Sequence, residues 1–243
     1  MRLIFIRHCE PEYRTDTLTA KGFREAALLA ERTARWQGIE RIYCSPLGRA
    51  RDTARPTLVR LGQEAVTYDW LQEFSYRMTD PTTGQTHVPW DYMPEFWTRQ
   101  SEFYDREKWL THPVFQANSE IEPAYRRACA GLDGVLARYG YTRQGAVYLA
   151  DPSQTAGDDE KTLIFFCHLG ITLLFVGHLL GFAPVQLQQC IYLPPSSVTI
   201  LNAEKRLHDV AFFRAQAIGD VSHLLRAGEP VSPFGAFSGV FSD

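Results

Sequence analysis

The residues best equipped for chemistry stand near the start of the chain. The stretch RHCEPEYRT, Arg7 to Thr15, follows an apolar run and holds two adjacent potential nucleophiles, His8 and Cys9. Further on, SPLGRARDTA (45–54) carries Arg49, AVTYDWLQEF (65–74) carries Glu73, and TLIFFCHLG (162–170) runs from apolar residues into His168. Two arginines, two histidines and a glutamate suit phosphoryl transfer through the enzyme. Its transition state spreads negative charge over three equatorial oxygens, and positioned cations supply most of the catalysis. Arg7 and Arg49 offer forked donors to such oxygens. A histidine can itself be the nucleophile. Glu73 can protonate the leaving oxygen and then take a proton from the incoming water, with Asp69 as the nearby alternative.

These side chains need elements to hold them. Residues 2–7, 40–45, 65–74 and 162–168 read as strands, the last as a buried one. Between them lie helical patterns. The first begins after Thr19, a natural N-cap, and carries Phe23, Ala26, Ala27, Ala30 and Ala34 at helical spacing. The second covers 46–62, with Pro56 expected to kink or interrupt it. Two more cover 120–139 and 170–181. SSVTILNAE and RLHDVAFF read as an antiparallel pair turning near Glu204-Lys205. Residues 150–161 are a polar turn, and the tail after Gly228 reads as irregular. This alternation predicts one domain over 1–243, a three-layer α/β/α sandwich with a mostly parallel central sheet. Residues 75–118, rich in Trp, Tyr, Phe and Pro, read as an inserted cap of short helices and loops. In such sheets sites gather at the carboxyl ends of the strands, where Arg7-His8, Arg49, Glu73 and His168 are expected.

RHCE (7–10), LTAKG (18–22), SPLGRARDTA (45–54), Glu73 and CHLG (167–170) together resemble the histidine phosphatase, or phosphoglycerate mutase-like, superfamily. The matched order runs from residue 2 to about residue 200. The resemblance implies His8 as the phosphorylated nucleophile, with Arg7, Arg49 and His168 holding the phosphoryl group. It implies Glu73 as the acid, and neither metal nor cofactor. Two positions depart from the family pattern. Cys9 stands where glycine is usual and Leu169 where a second glycine is frequent, so crowding of the phosphate pocket is expected there.

The cysteine alternative fails on its own geometry. A cysteine-phosphatase loop has five residues between Cys and Arg, whereas Cys9 and Arg14 have four between them. Such a loop also surrounds phosphate with backbone N–H groups, and Pro11 has none. In extended chain Cys9 points away from His8, and a backbone carbonyl is expected to fix one nitrogen of the His8 ring. Arg14 is retained as a substrate contact, with a surface role as its alternative. Ser45 reads as a helix cap, Glu10 as a local ion-pair partner, and Arg51 and Asp52 as a solvated face. His178, His208 and His223 read as structural, and His87 and His112 as surface residues or substrate contacts of the insertion.

Composition narrows the partners. The net charge of −3 and the lack of a Lys/Arg-rich block give no support to nucleic-acid binding. No apolar stretch reaches membrane-spanning length. Five cysteines without metal-type spacing fit reduced thiols and a cytoplasmic setting. The expected partner is a small phosphorylated substrate, and association into a homo-oligomer stays open. The sequence therefore reads as a metal-independent phosphatase acting on a phosphomonoester through a phosphohistidine. A phosphoglycerate mutase-type phosphotransferase is the first alternative, and Ser-x-Trp-Asn is missing after RHCE. A weakened phosphate-binding or interaction domain is the second.

Overall fold

The computed structural model describes residues 1–207 and 209–241. His208, set aside above as structural, lies outside them. The central sheet is built from β1 (Arg2–Arg7), β2 (Ile39–Cys44), β3 (Ala65–Thr67), β4 (Tyr141–Gln144), β5 (Val147–Ala150), β6 (Thr162–Cys167), β7 (Val198–Leu207) and β8 (Val210–Asp220). Their order is β3-β2-β6-β1-β7-β8-β5-β4. The run β3-β2-β6-β1 is parallel, and the strands beyond β1 pair antiparallel. Every residue of β6 is buried, as a strand covered on both faces requires.

Helices cover both faces, giving the α/β sandwich expected from the sequence. On one side, α1 (Ala20–Thr33) and α2 (Gly48–Leu61) bury Leu29, Ala50 and Ala54 against Ile4, Ile6, Ile42, Ile164 and Phe166. On the other, α3 (Ile121–Ala137) and α4 (Leu169–Leu180) bury Leu132, Val135, Leu174 and Phe175 against Leu3, Phe5, Leu163 and Phe165. The alternation of side chains along β1 and β6 separates these two cores.

Thr19 caps α1, its Oγ1 accepting from Gly22 N–H at 3.0 Å. The buried face matches the expected one at Ala26 and Ala30 but not at Phe23, Ala27 and Ala34. Phe23 is 49% exposed and Ala27 faces solvent, while Gly22, Glu25, Ala26, Leu29, Ala30 and Thr33 face inward. Glu25 is inside because its carboxylate accepts the Glu10 N–H at 2.8 Å. Helix α2 runs through Pro56 without interruption and ends at Gly62, whose φ of 61° suits glycine. The missing proline N–H costs one helical bond, which packing of the buried face offsets.

Other expectations need correction. Strand β3 has three residues, and Glu73 follows a single helical turn, Asp69–Leu71, not a strand end. The hairpin of β4 and β5 was not foreseen. Strand β7 continues through Glu204-Lys205 to Leu207 before the chain turns. Residues 75–118 form a two-residue-strand hairpin (Met78–Thr79 with Thr86–His87) and short helices such as Pro94–Trp97 and Pro113–Gln116. Their aromatic rings interlock, with Phe103 at 5.3 Å from Phe115 and Trp109 at 5.0 Å from Phe115.

Candidate active site

Strand register assembles the site. Arg7 lies opposite Cys167, and Phe166 opposite Cys44, so β1, β6 and β2 end at one level. The next residues, His8, His168 and Ser45, therefore emerge side by side. The ladder extends one step past the strands. His8 N–H donates to Cys167 O at 2.9 Å, and Ser45 N–H to Phe166 O at 2.9 Å. The His8 and His168 ring centroids are 5.2 Å apart, and Arg7, His8 and His168 are all buried.

The His8 Nδ1 lies 2.8 Å from the Cys9 carbonyl oxygen. A carbonyl only accepts, so Nδ1 carries the proton and Nε2 holds the free lone pair. Burial, and then the neighbouring Arg7 charge, push the His8 pKa well below its ordinary value. The neutral ring is the nucleophilic form. The same causes, burial first and then His8, Arg49 and Arg7, depress His168.

Ser45 does not cap α2: Leu47 holds the cap position without a side-chain bond. Instead Ser45 Oγ lies 2.8 Å from His168 Nε2 and accepts the Leu47 N–H at 3.3 Å. With the hydroxyl proton directed at Nε2, His168 Nδ1 becomes the protonated nitrogen and a donor. That atom is buried and has no hydrogen-bond partner among the described residues.

Two arginines flank the pair. Arg7 donates through Nη1 to Leu193 O and through Nη2 to Phe234 O at 3.3 Å. Arg49 donates through Nη1 to Asp16 Oδ1 at 2.6 Å and lies over the Tyr13 ring at 5.1 Å. In both, Nε is buried without a hydrogen-bond partner among the described residues. Three unpartnered buried nitrogens, two of them cationic, make a site suited to an oxyanion.

Glu73 sits at the N-terminus of α4. Its Oε1 accepts Phe74 N–H at 2.8 Å and Ile171 N–H at 3.0 Å, and its Oε2 accepts Gly170 N–H at 3.2 Å. Burial raises its pKa, against the pull of these three N–H groups and Arg7. Oε2 accepts one bond only, so it has the lone pair for a transferable proton. Asp69, the alternative acid, is exposed and bonds to none of the cluster among the described residues. It shares with Glu73 a cavity of about 710 Å³ that also includes Trp70, Tyr76 and Arg127. Arg14 is exposed, and among the described residues only its backbone N–H is engaged, by Glu12 Oε1 at 3.1 Å. The structure thus brings Arg7, His8, Arg49, His168 and Glu73 together and leaves Arg14 outside.

The sequence matches the histidine phosphatase superfamily, branch 1, over residues 3–147. The chain belongs to this superfamily. No relative was found among curated proteins. Among solved structures, a mycobacterial glucosyl-3-phosphoglycerate phosphatase is similar at 18% identity and a TM-score of 0.59, covering 90% of this chain and 98% of that one. Phosphoserine phosphatase of Entamoeba histolytica, solved with 3-phosphoglyceric acid, gives 18% and 0.58, covering 92% and 98%. Alpha-ribazole phosphatase of Shigella flexneri gives 17% and 0.54, covering 90% and 96%.

As a histidine phosphatase superfamily member the chain departs at Cys9 and Leu169, but neither side chain crowds the pocket. Cys9 is fully buried against Leu18 and Ala26, and its N–H donates to Thr53 Oγ1 at 2.9 Å. Burial, with Glu25 nearby, raises its thiol pKa far from the thiolate range. Leu169 packs with Leu173 and Leu193 beneath Trp90. Gly170 must be glycine, because a Cβ there would overlap the Trp90 ring.

Two residues with left-handed backbone serve this superfamily site and escaped the sequence reading. Asp16, at φ 50°, clamps Arg49 and accepts the Gly48 N–H at 2.6 Å. Ser196, at φ 67°, donates its N–H to His8 O at 3.1 Å, and its Oγ lies 2.7 Å from His223 Nε2. Such conformations in non-glycine residues persist where surrounding contacts fix them. The only local signal was a polar residue in a turn. His223 is structural as expected, and His178 pairs with Asp133 at 2.9 Å. His112 caps a short helix in the insertion, accepting Val114 N–H at 3.2 Å. Asp52 takes the Thr17 hydroxyl, and Glu10 accepts from Thr19 at 2.9 Å and Ser232 at 2.7 Å. No described helix is long and apolar enough to cross a membrane.

Proposed function

We propose that the protein is a phosphatase that hydrolyses a small phosphomonoester through a phosphohistidine on His8. The observation that carries this reading is the His8 ring: neutral, with Nδ1 tied to the Cys9 carbonyl and Nε2 free. Around it stand the unpartnered nitrogens of Arg7, Arg49 and His168.

In the first step His8 Nε2 attacks phosphorus and the P–O bond to the leaving group breaks. Arg7 Nε, Arg49 Nε and His168 Nδ1 donate to the equatorial oxygens, where negative charge gathers. Glu73 delivers its proton to the departing oxygen. In the second step the Glu73 carboxylate takes a proton from water, which attacks the phosphohistidine and releases phosphate. The two arginines supply the positive charge that a metal ion supplies elsewhere. From segment 75–118, Trp90 lies on Gly170 at the start of α4 and would cap the site there.

Rapid denaturation after mixing with a phosphate ester should trap a phosphoenzyme that is labile in acid and survives alkali. His8→Ala should abolish both trapping and turnover, whereas Cys9→Gly should keep much of each. An active His8→Ala beside a folded but inactive Cys9→Gly overturns the reading.

A further inference from the structure

The chain after Gly228 has irregular backbone, yet it is tied to the site. Ser232 is fully buried and donates through Oγ to Glu10 Oε2 at 2.7 Å. The Tyr192 hydroxyl is 3.0 Å from Ser232 O and 3.1 Å from Phe234 O. The Phe234 carbonyl also accepts from Arg7, and its ring lies 5.3 Å from that of Tyr13. Gly235, at φ 81°, passes so close that a Cβ would stand 3.3 Å from Arg7 Nη2.

Beyond this clamp the tail closes one side of a cavity of about 370 Å³. Trp90, Leu169, Ile191 and Tyr192 face it from the body of the protein, and Phe237 and Phe241 from the tail. No Asp, Glu, Lys, Arg or His lines it among the described residues. Its walls meet the phosphoryl cluster at several points. Leu169 follows His168 in the chain, and the Tyr192 ring lies 5.9 Å from the Arg7 guanidinium. Trp90 rests on Gly170, whose N–H holds Glu73. None of Arg7, His8, Arg49, Glu73 and His168 lines the cavity itself; Leu169, Tyr192, Trp90 and Gly235 set its inner wall against them, on the side where a leaving group can emerge. The larger cavity at Asp69 and Arg127 meets the cluster only through Glu73.

We propose that this tail-walled cavity is the leaving-group subsite and takes an uncharged, mainly apolar alcohol moiety, aryl or alkyl, in preference to an anionic one. The proposal rests on the phosphatase reading above. An apolar group entering the cavity gains by leaving water, whereas a carboxylate finds no cation there. Phe237 and Phe241, each 84% exposed, stand at the rim and gain burial when such a group enters.

The test compares 4-tert-butylphenyl phosphate with 4-carboxyphenyl phosphate, whose phenol is the stronger acid, so leaving-group ability alone would favour the carboxylate ester. Wild-type kcat/KM should favour the butylphenyl ester by about tenfold or more, the worth of burying one large apolar side chain. In the Phe237→Ser/Phe241→Ser double variant, chosen because both rings are exposed, that preference should collapse. Calorimetric binding of both esters to His8→Ala should show the same preference without turnover. Hydrolysis of both esters with no preference overturns the subsite and spares the phosphatase reading. No hydrolysis, but tighter binding of the butylphenyl ester, overturns the phosphatase reading and spares the subsite. Binding of neither ester overturns the subsite, as does a preference that the double variant leaves intact.

Discussion

Replacing Glu73 with glutamine separates holding phosphate from releasing the alcohol. The carboxylate accepts two N–H groups at Oε1 and one at Oε2. The amide oxygen can keep the Oε1 position with both bonds. The amide nitrogen then occupies the Oε2 position, facing Gly170 N–H where a bond of 3.2 Å was made. One bond is lost and two donors oppose each other, at a cost of about 1–3 kcal/mol in stability. Loss of negative charge at the α4 N-terminus adds about 0.3–1 kcal/mol. Relief from burying a carboxylate offsets part of both. The protein should stay folded and bind vanadate, because no phosphoryl ligand has been touched. Turnover should fall about a hundredfold to ten-thousandfold for an alkyl phosphate, the usual worth of a general acid. A 4-nitrophenyl ester leaves with little protonation and should lose less than about tenfold. The assay is kcat/KM for glycerol phosphate and 4-nitrophenyl phosphate on both proteins. Because burial raises the Glu73 pKa, the acid form persists to higher pH, and wild-type kcat/KM should fall as pH rises through it. That limb should be missing in Glu73→Gln. Equal losses on the two esters would refute Glu73 as the acid, and leaving-group dependence in Asp69→Asn would transfer the role.

Asp16→Asn removes the charge that holds Arg49 while keeping a residue that tolerates left-handed backbone. Vanadate affinity should weaken about tenfold, the scale of one charge-assisted hydrogen bond; unchanged or tighter binding contradicts a clamping role. Stability should depend on the buried histidines. Burial, then Arg32, pushes His223 down to about 4, and burial depresses His8 and His168. The unfolded chain takes up protons on these rings below about pH 6.5 while the native state does not. Their contribution is thus complete above that pH and lost as pH falls toward the folded values, with His223 alone worth about 3 kcal/mol. Glu25, pushed up to about 7 by burial, acts in the opposite sense: its contribution is complete below about pH 4.5 and lost as pH rises through 7. Urea titrations of wild type and His223→Gln at pH 8 and pH 5 isolate the histidine share, and a difference that does not change with pH refutes it. Finally, hydrolysis should survive EDTA, and a loss restored by one divalent ion would refute the arginine-based mechanism.

The sequence by itself determined the layers and the level at which the chemistry sits. Apolar runs at 2–7 and 162–167 can only be interior strands, and the helical patterns between them force parallel crossovers. His8, His168 and Arg49 follow strands within a few residues, so their place was local information. The tautomer of His8 was local too, because its partner is the next carbonyl in the chain. Glu73 was found by motif, but not its perch on the α4 N-terminus, which depends on a contact 97 residues away.

Tertiary structure alone decided who holds the holders. Asp16 reaches Arg49, Ser45 reaches His168, Ser196 reaches both the His8 carbonyl and His223, and the tail carbonyl of Phe234 reaches Arg7. The inward turn of Glu25 belongs to the same group, since the Glu10 backbone N–H that its carboxylate accepts is brought to it from a separate turn of the chain. Periodicity records which side of an element avoids water. A hydrogen bond between two turns records how far the intervening chain has folded back, and no pattern of residue types along the chain carries that distance.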